Sequence, residues 1–151
     1  MFVKVKIPAT TKRVERHTCK KTNNKINQNT VNTVNKYTEA NVEDLTQRLE
    51  ELDNEWDTER VLEANAATLV LTSSLLGAIK FSKWFIVTGV VGFFLLLHSL
   101  VGWCPPLPII RKMGIRTSDE INNESIIIRF LRGDFSKTSK QYPNDLLHIL
   151  K

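Results

Sequence analysis

From Trp84 to Trp103 the chain runs for twenty residues without an Asp, Glu, Lys or Arg, and fourteen of them are apolar. Wound as a helix, this stretch reaches about 28 Å at 1.5 Å per residue. That is close to the ~30 Å hydrocarbon core of a bilayer. A tryptophan at each end suits the aromatic belts of the two interfaces. The mean hydropathy of the whole chain, −0.19, would fit a soluble protein, but it averages over segregated residues. Outside this region little of the 151-residue chain could build a large water-soluble core. The pattern therefore argues against a globular enzyme with a deep cleft.

A second, weaker span precedes it. Sixteen uncharged residues, ANAATLVLTSSLLGAI, separate Glu63 from Lys80. They reach roughly 24 Å as a helix, and Asn65, Thr68, Thr72, Ser73 and Ser74 dilute them. Lys80, Phe81, Ser82 and Lys83 leave room only for a tight turn, so the sequence predicts a two-span helical hairpin. Small and polar residues fall on one face of each span: Ala66, Val70, Ser73 and Gly77 on the first, Thr88, Gly92, Leu95 and Ser99 on the second. A fold about residues 82–83 sets Gly77 opposite Thr88, Ser73 opposite Gly92, Val70 opposite Leu95 and Ala66 opposite Ser99. Small residues let membrane helices approach closely, and hydroxyls can bond across the contact.

The expected organisation is mainly α. Residues 1–36 are a basic, weakly ordered arm, in which Phe2 to Ile7 could pair as a short strand and the run from Lys20 to Lys36 could form a loose helix. Residues 37–63 hold an amphipathic helix, and residues 64–110 the hairpin. Residues 111–135 hold a cytosolic helix, and residues 136–151 a polar tail with a possible last turn at Leu146–Leu150. In the amphipathic helix Val42, Leu45, Leu49, Leu52 and Trp56 recur at helical spacing. This stripe can pack on a neighbouring helix of the same chain or form a short seam with a second copy. Cys104-Pro105-Pro106 is expected to end the second span, and Pro108 to keep the exit extended. Thr117 and Glu120 have capping-box spacing ahead of the last helix, and Gly133 follows as its stop.

Charge is distributed unevenly. Residues 1–40 carry a net +7 and residues 41–63 a net −7. Basic residues at Arg60, Arg111, Lys112 and Arg116 flank the outer ends of the hairpin, against Lys80 and Lys83 in its loop. The positive-inside rule then predicts both termini in the cytosol. The basic arm lacks the interleaved aromatics of a nucleic-acid binder, so the lipid bilayer is the expected partner. No continuous apolar leader occurs at the N-terminus, and no cleaved signal peptide is expected.

The chemistry-bearing residues are few. No cofactor is implied, and the two cysteines, Cys19 and Cys104, have no metal-site spacing. Cys104 is the candidate thiol: beside Arg111 and Lys112 its pKa could be lowered, although burial would oppose that. It could equally be a small residue at a helix end. His98 is the candidate polar site within the membrane, where an ionisable group is a functional hypothesis by default. It could instead bond a hydroxyl or the backbone. A metal or haem there would need a second ligand, such as the symmetric His98 of a homodimer. His17 and His148 read as surface residues.

The stretch LLLHSLVGWCPPLPIIRKMGIRTSDEI, Leu95 to Ile121, is similar to the YgaP-like transmembrane-domain family of bacteria. Its carrying features are Gly102-Trp103-Cys104-Pro105 closing the second span and the later Gly114-Ile115. LEELDNEWDTERVLEANAA upstream and FLRGDF downstream extend the resemblance over roughly Val42 to Phe135. It implies an integral protein of the bacterial inner membrane, of unknown activity; the hairpin of the family's sulfurtransferase relative self-associates, which would suit the leucine stripe here. The family's sulfurtransferase relative adds a rhodanese domain, which these 151 residues lack. Pro105 and Pro106 also remove amides that a rhodanese persulfide loop would need. The expected function is a non-enzymatic, self-associating or partner-recruiting membrane module. The alternative is sulfur or redox handling through Cys104.

Overall fold

A computed structural model describes residues 9–135. The short strand near Phe2, the polar tail 136–151, its turn at Leu146–Leu150 and His148 lie outside the described residues. Those described form helices joined by short connections, with no strand among them: η1 (Thr10–Lys12), α1 (Arg13–Arg16), α2 (Lys20–Lys36), α3 (Val42–Asn54), α4 (Thr58–Ile79), α5 (Trp84–Val101), α6 (Leu107–Lys112) and α7 (Ser118–Arg132). They divide into two units, residues 9–23 with 56–117, and residues 24–55 with 118–135.

In the second of these units α3 packs on α7. Asn41 caps α3 by accepting from the Asp44 amide at 2.8 Å, satisfying one of the free amides of the first turn. Leu45, Leu49 and Leu52 meet Ile121 and Ile128, with Tyr37, Ala40 and Leu131 at the margin. The leucine stripe is thus covered by a helix of its own chain, not by a second copy. Its two ends fall outside the contact. Val42 is 64% and Trp56 50% exposed, because Val42 is the first residue of α3 and Trp56 lies beyond its last turn. Instead the Arg60 guanidinium sits 4.5 Å above the Trp56 ring. Glu124 of α7 is fully buried. Its Oε1 accepts from Arg48 Nε at 3.0 Å and from Arg48 Nη2 at 2.8 Å.

The run expected to be weakly ordered, Lys20–Lys36, is a continuous helix. Its polar composition gives little intrinsic drive, and short helices depend on tertiary contacts. These are supplied by buried Ile26 and by Asn23, whose amide donates to the Glu15 carbonyl at 3.0 Å.

The amphipathic helix belongs to the second unit and the first span to the other, and the two are separate helices that do not meet at residue 63. The chain breaks at Glu55–Asp57, and α4 starts at Thr58. Asp57 caps it, accepting from the Arg60 amide at 2.7 Å. Thr58 is fully buried; its amide donates to the Arg116 carbonyl at 2.7 Å and its hydroxyl to the same oxygen at 2.8 Å. Twenty-two residues of α4 and eighteen of α5 give about 33 Å and 27 Å of helix, enough to cross a bilayer. Their large apolar side chains point away from the protein: Leu71, Ile79, Ile86, Phe93 and Leu96 are each more than half exposed. A soluble protein rarely leaves so large an apolar surface uncovered.

Candidate functional site

The hairpin closes through its polar residues. Ser73 and Thr88 share a hydrogen bond of 2.7 Å between their hydroxyls, and Ser74 lies 3.4 Å from the same Thr88 oxygen. Gly77 faces Phe85, whose ring would lie 3.0 Å from a Cβ at that position. The observed pairs are therefore Ser73 with Thr88 and Gly77 with Phe85. That is one helical turn from the register expected from a fold about residues 82–83. The chain pivots nearer residues 80–81, and the shift lets two hydroxyls satisfy each other out of lipid. Gly92, expected at the contact, is exposed and has nothing within 4 Å of its Cβ position. Val70 and Leu95 are half-buried, while Ser99 is exposed and its carbonyl accepts from Arg13 Nη1 at 3.0 Å.

The exit from α5 differs from the expected proline stop. Val101 is the last helical residue, and Gly102 caps the helix at φ +86°, its amide donating to the His98 carbonyl at 2.7 Å. Only glycine takes this left-handed conformation without strain. A Cβ on Gly102 would also lie 2.6 Å from Arg13 Cβ, so the N-terminal segment packs directly on this turn. Pro108 does not keep the chain extended. It sits in the first turn of α6, where a missing amide proton costs nothing. Arg111, expected in water, is fully buried. Its Nη1 donates to the Ile115 carbonyl at 3.0 Å and its Nη2 to Asn23 Oδ1 at 3.1 Å. Such carbonyl and amide partners are what a buried guanidinium requires.

Cys104 lies under this cap. It is buried in one apolar cluster with Val14, Leu62, Leu107 and Ile110. Burial pushes its thiol above the usual value, favouring the neutral form. The expected lowering by Arg111 and Lys112 does not appear. Arg111 is committed to carbonyl oxygens, and Lys112 is exposed.

Beside Cys104, between α4, α5 and α6, a cavity of about 490 Å³ is lined by Leu62, Ala66, Leu95, His98, Cys104 and Pro106, among others. His98 also borders a smaller cavity of about 250 Å³, with Arg13, Glu59, Glu63 and Ser99. Arg13 Nη2 pairs there with Glu59 Oε1. His98 is 5% exposed, and neither ring nitrogen has a hydrogen-bond partner among the described residues. The alternative, a bond to a hydroxyl or backbone group, is not made among the described residues. A buried polar group left without a partner costs about 1–3 kcal/mol, so this one stands out.

A hairpin of two apolar helices, closed by Gly102-Trp103-Cys104-Pro105 and followed by a short helix, is the geometry now in place. The family model described as "Inner membrane protein YgaP-like, transmembrane domain" matches residues 52–120. These residues are a YgaP-like transmembrane domain. The YgaP-like domain thus takes in α4, α5 and α6 and reaches from the end of α3 to the start of α7. No curated protein and no solved structure matches the chain.

The sequence pointed to His98 and Cys104 separately; the structure brings both to one cavity wall. It missed the parts that surround them. Arg13 and Glu59 are forty-six positions apart, and neither carries a motif. Thr58 fell inside the amphipathic helix expected over residues 37–63, with nothing to mark it as a helix start. A glycine two residues ahead of Cys-Pro was the one available signal for the α5 cap.

Proposed function

We propose that the protein is a non-enzymatic membrane module that self-associates, with both ends of the YgaP-like hairpin on the cytosolic side. The observation that carries self-association is the outward face of α7. Ile126, Ile127 and Phe130 lie on one side of that helix and are 37%, 42% and 69% exposed, while Ile121 and Ile128 on the other side are packed on α3. A second copy brings an identical apolar strip, and a self-complementary patch suits a two-fold pair. Cys104 is better read as a packing residue than as a nucleophile, since burial keeps its thiol protonated. The cytosolic orientation follows from the basic residues outside the hairpin.

The test uses the full chain in native membranes. Cys19 is exposed and reports the N-terminal side. An impermeant maleimide should label it in inverted vesicles and leave it unlabelled in right-side-out ones. Amine cross-linking of the same vesicles should trap dimers. Phe130→Asp combined with Ile127→Asp should abolish them without loss of membrane insertion. Monomers throughout would refute self-association, and Cys19 labelling from the outside would refute the orientation.

A further inference from the structure

We infer that the cavity beside His98 is a binding site for a neutral, lipid-soluble molecule that presents a carbonyl or hydroxyl oxygen from an apolar body. Its volume of about 490 Å³ lies in the range of small-molecule sites, roughly 300–1,000 Å³. Its walls are almost wholly apolar: Leu62, Leu69, Val91, Phe94, Leu95 and Ile110 line it. Such sites bind through apolar contact and orient the ligand with a few placed polar groups.

His98 is the group placed to do so. Its side chain is more than nine-tenths buried, it lines the cavity, and both ring nitrogens lack a partner among the described residues. A neutral imidazole offers one N–H donor and one acceptor nitrogen. A ligand carbonyl would accept from the donor; a ligand hydroxyl would donate to the acceptor. The other polar side chains of the wall are less able. The Asn65 amide already donates to the Val61 carbonyl at 2.7 Å, and burial favours the neutral thiol of Cys104.

Charge selects against an ionic head. The groups sharing the second cavity with His98 are Arg13, Glu59 and Glu63. Arg13 is matched by Glu59, which leaves Glu63 as an excess negative charge that disfavours an anion. A cation would have to leave water for an apolar chamber, at a high desolvation cost. Access is from the outer surface of the hairpin: of the wall residues, Leu69 is 52% and Ile109 64% exposed. On a membrane helix pair that side meets lipid, so the ligand enters from the bilayer. An isoprenoid quinone and a monoacylglycerol share this chemistry, and experiment separates them.

The full chain, in phosphatidylcholine nanodiscs and labelled with ¹⁵N-histidine, is titrated with four probes: decylubiquinone, monoolein, hexadecane and tetradecyl sulfate. The expected result is saturable binding of decylubiquinone or monoolein, one per chain, with a shift of the His98 ring nitrogens. Which of the two binds identifies the source. Hexadecane lacks the oxygen and tetradecyl sulfate carries a fixed charge; neither should shift them. His98→Leu removes one neutral hydrogen bond and should weaken binding roughly tenfold. Ala66→Phe fills the cavity, keeps His98 and should abolish the shift; it serves where His98→Leu fails to fold. The inference is overturned if neither oxygen-bearing probe moves the His98 signals. Equal binding by folded His98→Leu, binding of tetradecyl sulfate as tight as the neutral probes, or an unchanged response in Ala66→Phe would also overturn it.

Discussion

Gly102→Ala should be among the most damaging single-methyl additions in this protein, because it meets two separate costs. The first is conformational. At φ +86° an L-residue is strained by about 1–2 kcal/mol. The second is steric. The new Cβ would lie 2.6 Å from Arg13 Cβ and 2.7 Å from both the carbonyl carbon and the carbonyl oxygen of Arg13, where ordinary carbon contacts are ~3.5–4.0 Å. The N-terminal segment would have to withdraw by about 1 Å, and overpacking of this kind costs about 1–3 kcal/mol. Withdrawal also pulls the Arg13 guanidinium from the Ser99 carbonyl and from Glu59. We predict a loss of about 2–5 kcal/mol. Gly114→Ala separates the two costs. Gly114 has φ +92° but nothing within 4 Å of its Cβ position, so only the conformational loss of about 1–2 kcal/mol applies. Arg13→Ala should not rescue Gly102→Ala, because the atoms in the way are Cβ and backbone. The assay is unfolding in mixed dodecyl maltoside–dodecyl sulfate micelles, followed by far-UV circular dichroism. If Gly102→Ala costs no more than Gly114→Ala, or if Arg13→Ala restores it, the close packing of the N-terminal segment on the α5 cap is wrong.

Two further outcomes follow from the hairpin and its cap. Gly77→Leu should weaken hairpin packing, since its side chain runs into Phe85, whereas Gly92→Leu should be mild. Equal losses in the same micelle titration would restore the register with Gly92 at the contact. In sealed inverted vesicles Cys104 should alkylate far more slowly than exposed Cys19, with a rate still climbing at pH values where an ordinary thiol has levelled off. The folded-state pKa is raised, so the folded protein holds this proton more tightly. The associated stability is full below the unfolded pKa and declines as pH rises through it towards the folded value. A Cys104 rate that plateaus near neutral pH would contradict its burial.

The periodic and compositional features were legible because they depend on local physics. Twenty residues without Asp, Glu, Lys or Arg, from one tryptophan to the next, demand a nonpolar surrounding wherever they sit. The leucines of α3 imply a partner by their spacing alone, and a Gly-Trp-Cys-Pro run after a span is a local signature of the YgaP-like hairpin. Details that depend on which surfaces meet were not legible. Small residues on two faces fit several registers one turn apart, and only the Ser73–Thr88 hydroxyl pair selects among them. A leucine stripe cannot say whether its cover is another chain or α7, since both present the same apolar surface. Arg111 reads as a solvated flank until Asn23 and the Ile115 carbonyl supply partners in the interior. The direction of the Cys104 shift likewise depends on Val14, ninety positions away, which helps to wall it from water. Local sequence determined what this chain must hide from water. Only the tertiary structure decided what each hidden group touches, because hydrogen bonding and desolvation act between residues that the sequence keeps far apart.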